Sequence, residues 1–356
     1  MSSAPEPELD WLPAALNGGH SYRDRISEPA GSTIAFYVER YPHSEQAVWE
    51  QRLAAGEIRL NGMQLRADGP LAPGDRLVWH RPPWQEAAVP VLPEHAVVFD
   101  DGDLLVLNKP SGLPVLPAGG FLDHTLLAQL EGWVTSGRLD ATVGRPRPVH
   151  RLGRFTSGLL VCARRSASRA WLSAQLREST AAGAAEQGQG CRKLYRALSA
   201  PLPPEWSVGE ARPIHRPIRQ RPHPLLGALW CAADPAEGGA PADPAALPAC
   251  SIVTLLERRP GDCLLQVQIA SGRPHQIRIH AAALGAPLLG DPLYLPGGLA
   301  RPEALPGAGG YRLHAHRLSL RPPAGPPLEL EAPLPLELER MAPERSVRGG
   351  AARAPS

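Results

Sequence analysis

Residues 149–159 read VHRLGRFTSGL, and this stretch decides which fold the chain adopts. It runs from a loop rich in arginine and glycine into an apolar run ending at Cys162, which predicts a buried strand after the loop. Further segments of the same character lie on both sides: LNKPSGLPV at 107–115, KLYRA at 193–197, GRPHQIRIH at 272–280, LGDPLY at 289–294 and LHAHRL at 313–318. Together these segments are far more specific than any one of them.

The order and content of the segments resemble the RluA family of RNA pseudouridine synthases over roughly residues 95–335. The resemblance implies an α+β pseudouridine synthase fold, with a mixed, largely antiparallel sheet and a central cleft that takes RNA. It also implies an isomerase that flips a uridine out of its stack, detaches and rotates the base, and rejoins it through carbon. The family needs no metal or organic cofactor, so none is expected here.

The same resemblance assigns catalytic residues and exposes one departure. Tyr195 matches the tyrosine that stacks on the target base, and Arg278 matches the arginine that pairs with the nucleophilic aspartate. The family sequence at that aspartate is His-Arg-Leu-Asp, whereas this chain has Gly153, as in a branch of the family. Glycine offers neither a covalent partner nor a base. Arg278 would then need another anion, either an RNA phosphate or another carboxylate.

Two hypotheses about function remain open at this point. The first is an active RNA pseudouridine synthase acting on structured RNA, either ribosomal or transfer RNA. The second is a catalytically inactive relative that binds structured RNA. The retained Tyr195 and Arg278 favour the first hypothesis, and Gly153 favours the second.

The distribution of charge also indicates RNA as the partner. The chain has 37 Lys and Arg against 35 Asp and Glu, a formal net charge of +2. Two long runs, residues 141–177 and 211–233, nevertheless contain arginine and no acid. A surface lined by cations attracts a polyanion. The residues predicted to contact RNA are His150, Arg151, Arg154, Arg216 and Arg219.

With 356 residues, the chain is longer than a usual single domain, and its patterns divide it into five segments. Two predicted helices and a hairpin with an Asn61-Gly62 turn resemble the alpha-L RNA-binding motif. Residues 1–100 carry 8 Arg against 14 Asp and Glu, so a structural role for this module is as well supported as RNA binding. The predicted segments are a loose N-terminal segment (1–30), the alpha-L-like module (31–82), a Pro-rich linker (83–94), the catalytic domain (95–340) and a disordered tail (341–356).

The cellular setting is predicted from three patterns. The chain has no run of about 18 apolar residues, which a membrane helix would need. Its first residues are acidic and contain proline, unlike a secretory signal. Its five cysteines are scattered and show no Cys-x-x-Cys spacing, which fits a reducing compartment. We therefore expect a cytoplasmic, monomeric protein with no membrane partner.

Overall fold

The computed structural model describes residues 10–178, 191–234, 243, 245–269, 272–307, 309–323 and 325–341. Nearly all of the predicted disordered tail lies outside this part, as do residues 1–9 of the predicted N-terminal segment. The described helices are α1 (Thr33–Arg40), α2 (Gln46–Ala54), α3 (Leu126–Thr135), α4 (Ser166–Glu178) and α5 (Gln276–Ala283), with short 3-10 turns at Glu94–Ala96 and Leu336–Leu338. None of the described helices is long and apolar enough to cross a membrane.

The strands fall into two groups along the described chain. Those before residue 95 are β1 (Trp11–Leu12), β2 (Ala15–Leu16), β3 (His20–Arg25), β4 (Ile58–Leu60), β5 (Met63–Gln64), β6 (Arg76–Arg81), β7 (Gln85–Glu86) and β8 (Val89–Pro90). Those after it are β9 (Val97–Asp100), β10 (Leu104–Lys109), β11 (Arg147–Pro148), β12 (Thr156–Ala163), β13 (Arg192–Ser199), β14 (Ala211–His215), β15 (Ile218–His223), β16 (Gly227–Ala232), β17 (Cys250–Arg259), β18 (Asp262–Ile269), β19 (Leu313–Leu320) and β20 (Leu328–Glu331).

The N-terminal module packs α1 and α2 on a sheet ordered β3-β6-β4-β5. Ser32 begins α1, because its side chain accepts a hydrogen bond from the Ala35 amide. The β4–β5 turn places Asn61 at φ 51° and Gly62 at φ 88°, the left-handed conformation that this residue pair favours. Both predicted helices and the predicted hairpin are therefore present.

Two segments that the sequence predicts to be irregular are ordered. β3 lies within the segment predicted to be loose, and it pairs with β6 along its whole length. The predicted Pro-rich linker contains β7 and β8, which pair with β2 and β1. β3 is largely polar, and the other strands have two residues each, so hydrophobic periodicity does not reveal them.

The catalytic region contains one ten-stranded sheet, ordered β14-β17-β18-β13-β19-β12-β10-β9, with β11 and β20 pairing β12 and β19. Its described pairs are antiparallel except β12 with β19, which run parallel from Thr156↔Leu313 to Gly158↔Ala315. The predicted α+β class with a mixed, largely antiparallel sheet is thus confirmed. A turn sequence at residues 259–262 between two apolar runs predicts a hairpin, which β17 and β18 form. β14, β15 and β16 are strands that hydrophobic patterning misses.

The parallel junction lies between two hydrophobic cores. One core contains β10, β12, α3 and α4, and the other contains β17, β18 and α5. Gly158 allows β12 and β19 to meet, because it has φ 97° and a Cβ there would collide with the Ala315 backbone. Tyr195 on β13 packs against both cores. The two halves of the sheet therefore meet where the sequence motifs converge.

Candidate active site

A cleft of about 710 Å³ opens at this junction. Its walls come from the loop before β12, from β13 and β19, and from the start of α5. The described lining residues include no Asp or Glu. The cations among them are Arg151, Lys193, Arg273, Arg278 and Arg317, of which Arg278 and Arg317 form ion pairs with acids outside the lining. This charge asymmetry favours an anionic ligand.

Lys109 holds the loop that carries Gly153 in place. This side chain is fully buried, and its Nζ donates to the carbonyl oxygens of Pro110, Leu113 and Arg154 at 2.8–2.9 Å. Burial lowers the pKa of Lys109 to about 7, whereas the three carbonyl oxygens favour its protonated form. The Gly112 amide also donates to the Arg154 carbonyl at 2.9 Å. Segment 107–115 therefore positions the loop and does not line the cleft.

Tyr195 lies in the cleft wall at the junction of the two cores. It pairs with Val267 on one side and with Ala315 on the other, where a bulge between Leu194 and Tyr195 shifts the register. A bulge re-aims the side chains of a strand relative to its neighbours. Burial raises the pKa of the Tyr195 phenol, so its hydroxyl stays protonated at neutral pH.

Arg278 already has an anionic partner. Its Nε and Nη2 each donate to Asp291 at 2.7 Å, and the two side chains are 3% and 0% exposed. Burial alone would lower the pKa of Arg278, but the bonds to Asp291 outweigh it and the pKa is raised. Asp291 thus replaces the anion that Gly153 does not provide. Because its oxygens are occupied and enclosed, it does not line the cleft.

The space beside Gly153 is occupied by Tyr311. A Cβ at position 153 would collide with the Tyr311 hydroxyl and lie 3.3 Å from Thr156 Oγ1. The Tyr311 hydroxyl and Thr156 Oγ1 are themselves 3.2 Å apart. Gly153 is absent from the glycines with positive φ, so its backbone suits any residue. Glycine is required here because of a neighbouring side chain, which the local sequence does not reveal.

The three predicted RNA-contacting residues of the same loop take different positions. His150 Nε2 accepts a hydrogen bond from the Val161 amide at 3.0 Å, and burial followed by the charge of Lys193 lowers its pKa to about 4. Its ring is therefore neutral at pH 7 and holds the loop. Arg151 is exposed in the cleft. Arg154 donates to the Gly112 carbonyl and stacks on Phe121 and Phe155, outside the cleft lining.

The other two predicted RNA contacts lie outside the cleft lining and have acidic partners. Arg216 donates to Asp234 at 3.1 Å, and Arg219 forms an ion pair with Asp243. Two arginines of the acid-free run 211–233 are thus paired with acids that follow the run in the sequence. Their role in binding RNA stays a prediction.

His275 is a cleft residue that the sequence did not rank as functional. It has φ 55°, an uncommon value for a residue with a side chain, and it immediately precedes α5. The Tyr294 hydroxyl donates to the Trp230 carbonyl, so His275 Nδ1 must donate to that hydroxyl, 2.7 Å away. Burial followed by the charge of Arg278 lowers the pKa of His275 to about 3. The ring therefore lies neutral in the cleft.

Three further carboxylates, at the turn between β9 and β10, hold that turn. Asp100 accepts both Arg164 donors at 2.8 Å, and Asp103 accepts from the Arg165 amide. Asp101 accepts from the backbone amides of Asp103 and Leu104. None of these three lines the cleft. No described carboxylate therefore takes the position of the missing nucleophile.

A mixed sheet divided by a cleft with a cationic lining fits a protein that binds an anionic polymer. Residues 103–283 match the family described as RNA pseudouridylate synthase. An uncharacterized RNA pseudouridine synthase of Synechocystis sp. is 40% identical over 86% of this chain and 94% of its own length. RNA pseudouridine synthase 5 of Arabidopsis thaliana is 38% identical over 89% of this chain and 93% of its own length. Ribosomal large subunit pseudouridine synthase D of Neisseria meningitidis is 30% identical over 85% of this chain and 75% of its own length.

The chain belongs to the RNA pseudouridylate synthase family. The family predicted from the sequence segments is confirmed, and with it the pseudouridine synthase fold and an isomerase activity on RNA.

Proposed function

We propose that this protein isomerises uridine to pseudouridine in ribosomal or transfer RNA. The observation that carries the proposal is the cleft, which combines five cations, no described acid and the Tyr195 side chain in its wall. The name of the Neisseria relative points to ribosomal RNA as one substrate class. The cations bind the phosphates that flank the target, and the cleft takes the flipped base.

The reaction exchanges one bond between base and sugar for another. The bond from N1 to C1′ breaks, the uracil turns, and a bond from C5 to C1′ forms. C5 loses a proton and N1 gains one, so the atoms of the RNA are conserved. Tyr195 supplies an aromatic surface on which the detached base stacks, which keeps it in place while it turns. Arg278 is fixed by Asp291 in a single orientation.

The experiment is to map pseudouridines in total RNA from cells with and without the gene. A site lost on deletion and restored by the wild-type gene, but not by Tyr195→Leu or Arg278→Gln, supports the proposal. Purified protein should form the same site on a transcript of that RNA. The inactive hypothesis would instead predict salt-dependent RNA binding with an unchanged pseudouridine map.

A further inference from the structure

We propose that the Tyr311 hydroxyl takes the place of the missing carboxylate and transfers protons during the isomerisation. This inference rests on the proposed function. The first observation is the position of the Tyr311 hydroxyl, with which a Cβ at residue 153 would collide. An oxygen from residue 311 thus occupies the volume beside the cleft that a side chain at residue 153 would enter.

The surroundings of Tyr311 fix the position of this oxygen. Tyr311 is 2% exposed, and its ring packs edge-to-face on Phe155 with the centroids 6.1 Å apart. Its hydroxyl lies 3.2 Å from Thr156 Oγ1. The guanidinium carbon of Arg278 lies 4.2 Å from the centre of the Tyr311 ring. A cation at that distance attracts the π electrons of the ring, and it lies beside the phenolate that forms when Tyr311 gives its proton away.

Arg278 contacts both the Tyr311 ring and Asp291. Because Asp291 holds Arg278 through two hydrogen bonds, the guanidinium cannot turn away from Tyr311 without breaking them. Asp291 also accepts from the Leu293 amide at 2.9 Å, which fixes the carboxylate. In this chain Arg278 therefore faces a phenol instead of a carboxylate in the cleft wall.

One hydroxyl can serve both proton transfers because the base rotates. When the N1–C1′ bond breaks, its electron pair stays on N1, and Tyr311 gives its proton to N1. The uracil then turns until C5 faces C1′, and the C5–C6 π pair forms the new bond. The phenolate takes the proton from C5, which restores the C5–C6 double bond and the hydroxyl. C5 arrives where N1 had been, so both transfers occur at one place.

The test removes only the oxygen. Tyr311→Phe keeps the ring packed against Phe155 and Arg278, so RNA binding and stability should change little. General acid–base catalysis contributes about 10²–10⁴-fold, so kcat should fall by about 100-fold or more while KM stays within about twofold. With RNA carrying deuterium at C5 of the target, the variant should show a larger isotope effect than wild type, because C5 deprotonation becomes slower.

A second variant tests the position itself. Gly153→Asp with Tyr311→Phe frees room for a carboxylate, and it should regain activity over Tyr311→Phe alone. Gly153→Asp alone should gain no activity over wild type, because the new Cβ meets the Tyr311 hydroxyl. Wild-type kcat in Tyr311→Phe would overturn the inference, as would a loss of kcat with an unchanged isotope effect. A wild-type protein without activity on any cellular RNA would instead overturn the proposed function, and this inference with it.

Discussion

At the scale of single residues, the site depends on Lys109 and Tyr311. The sequence motifs predict the importance of Lys109, but they do not predict that of Tyr311. Lys109 belongs to a segment that the sequence analysis identifies, and the structure shows why that segment is needed. Tyr311 lies far along the chain from Gly153, and hydrophobic patterning carries no information about which side chain fills the space beside a glycine. The nearest signal is its place just before segment 313–318. Gly153 itself shows that the family's aspartate is missing, but it does not show which side chain replaces that aspartate.

Lys109→Met should destabilise the protein strongly. The substitution keeps the apolar stem but leaves the carbonyl oxygens of Pro110, Leu113 and Arg154 without their common donor. The Arg154 carbonyl keeps the Gly112 amide as a donor, whereas those of Pro110 and Leu113 lose theirs. A buried polar group without a partner costs about 1–3 kcal/mol, so we expect a loss of about 2 kcal/mol or more in the free energy of unfolding. Urea denaturation followed by circular dichroism measures it.

The control for Lys109 is Arg66→Met, which removes a cation from an exposed position. It should change the free energy of unfolding by less than about 0.5 kcal/mol. A loss below about 1 kcal/mol in Lys109→Met would show that water or a backbone shift satisfies the three carbonyl oxygens. Positioning of the Gly153 loop would then need another explanation.

At the scale of elements, long and regular patterns were predictable and polar strands were not. The spacing of Ile34, Tyr37 and Val38 predicts a helix from Thr33 to about Arg40, which are the bounds of α1. The β17–β18 hairpin follows from its turn and its apolar strands. The net charge of the N-terminal module does not describe its sheet, because strand register decides which side chains share a face. Pairing places four arginines on one exposed face of its sheet: Arg23, Arg25, Arg59 and Arg76. A count over 100 residues conceals this face.

The walls of the cleft allow a direct test of which arginines meet RNA. Arg151→Gln combined with Arg273→Gln should weaken binding across RNA sequences and reduce its dependence on salt. Each lost phosphate contact lowers the slope of log K against log salt by roughly 0.7–0.9. The double variant should therefore reduce the slope by roughly 1.5. Filter binding at four salt concentrations measures it.

The matched control changes two arginines that have acidic partners. Arg216→Gln combined with Arg219→Gln removes the same formal charge, but Asp234 and Asp243 neutralise these side chains in the free protein. We expect a smaller change in slope than for the cleft pair. A larger change would show that RNA displaces both acids, and that the surface formed by β15 and β16 carries the main contact.

At the scale of the whole molecule, a buried carboxylate ties the N-terminal region to the loop before α3. Glu86 is 1% exposed and accepts from Asn17 and from the amides of Leu122, Asp123 and His124. Burial would raise the pKa of Glu86, but these donors outweigh it and the pKa is lowered. Removing residues 1–90 would leave three amides without an acceptor. Composition predicts a linker here because it does not show which side chains are enclosed.

Buried neutral histidines should make the whole molecule sensitive to acid. Burial is the main cause that lowers the pKa of His150, His280 and His314 to about 4 and that of His275 to about 3. His280 Nδ1 and His314 Nε2 have no hydrogen-bond partner among the described residues, so a proton there would be buried and unpaired. In the unfolded chain these rings titrate near pH 6.5.

The sign of the effect follows from which state binds more protons. Between about pH 6.5 and pH 4 the unfolded chain is protonated at these histidines and the folded chain is not, so stability falls as pH falls. Each histidine should remove about 2 kcal/mol between pH 7 and pH 5. His280→Gln keeps a donor toward the Arg216 carbonyl and removes one titration, so its stability should decline less steeply than that of wild type. Urea denaturation at pH 7, 6 and 5 measures the decline, with the exposed His43→Gln as control. Parallel curves for wild type and His280→Gln would contradict the prediction.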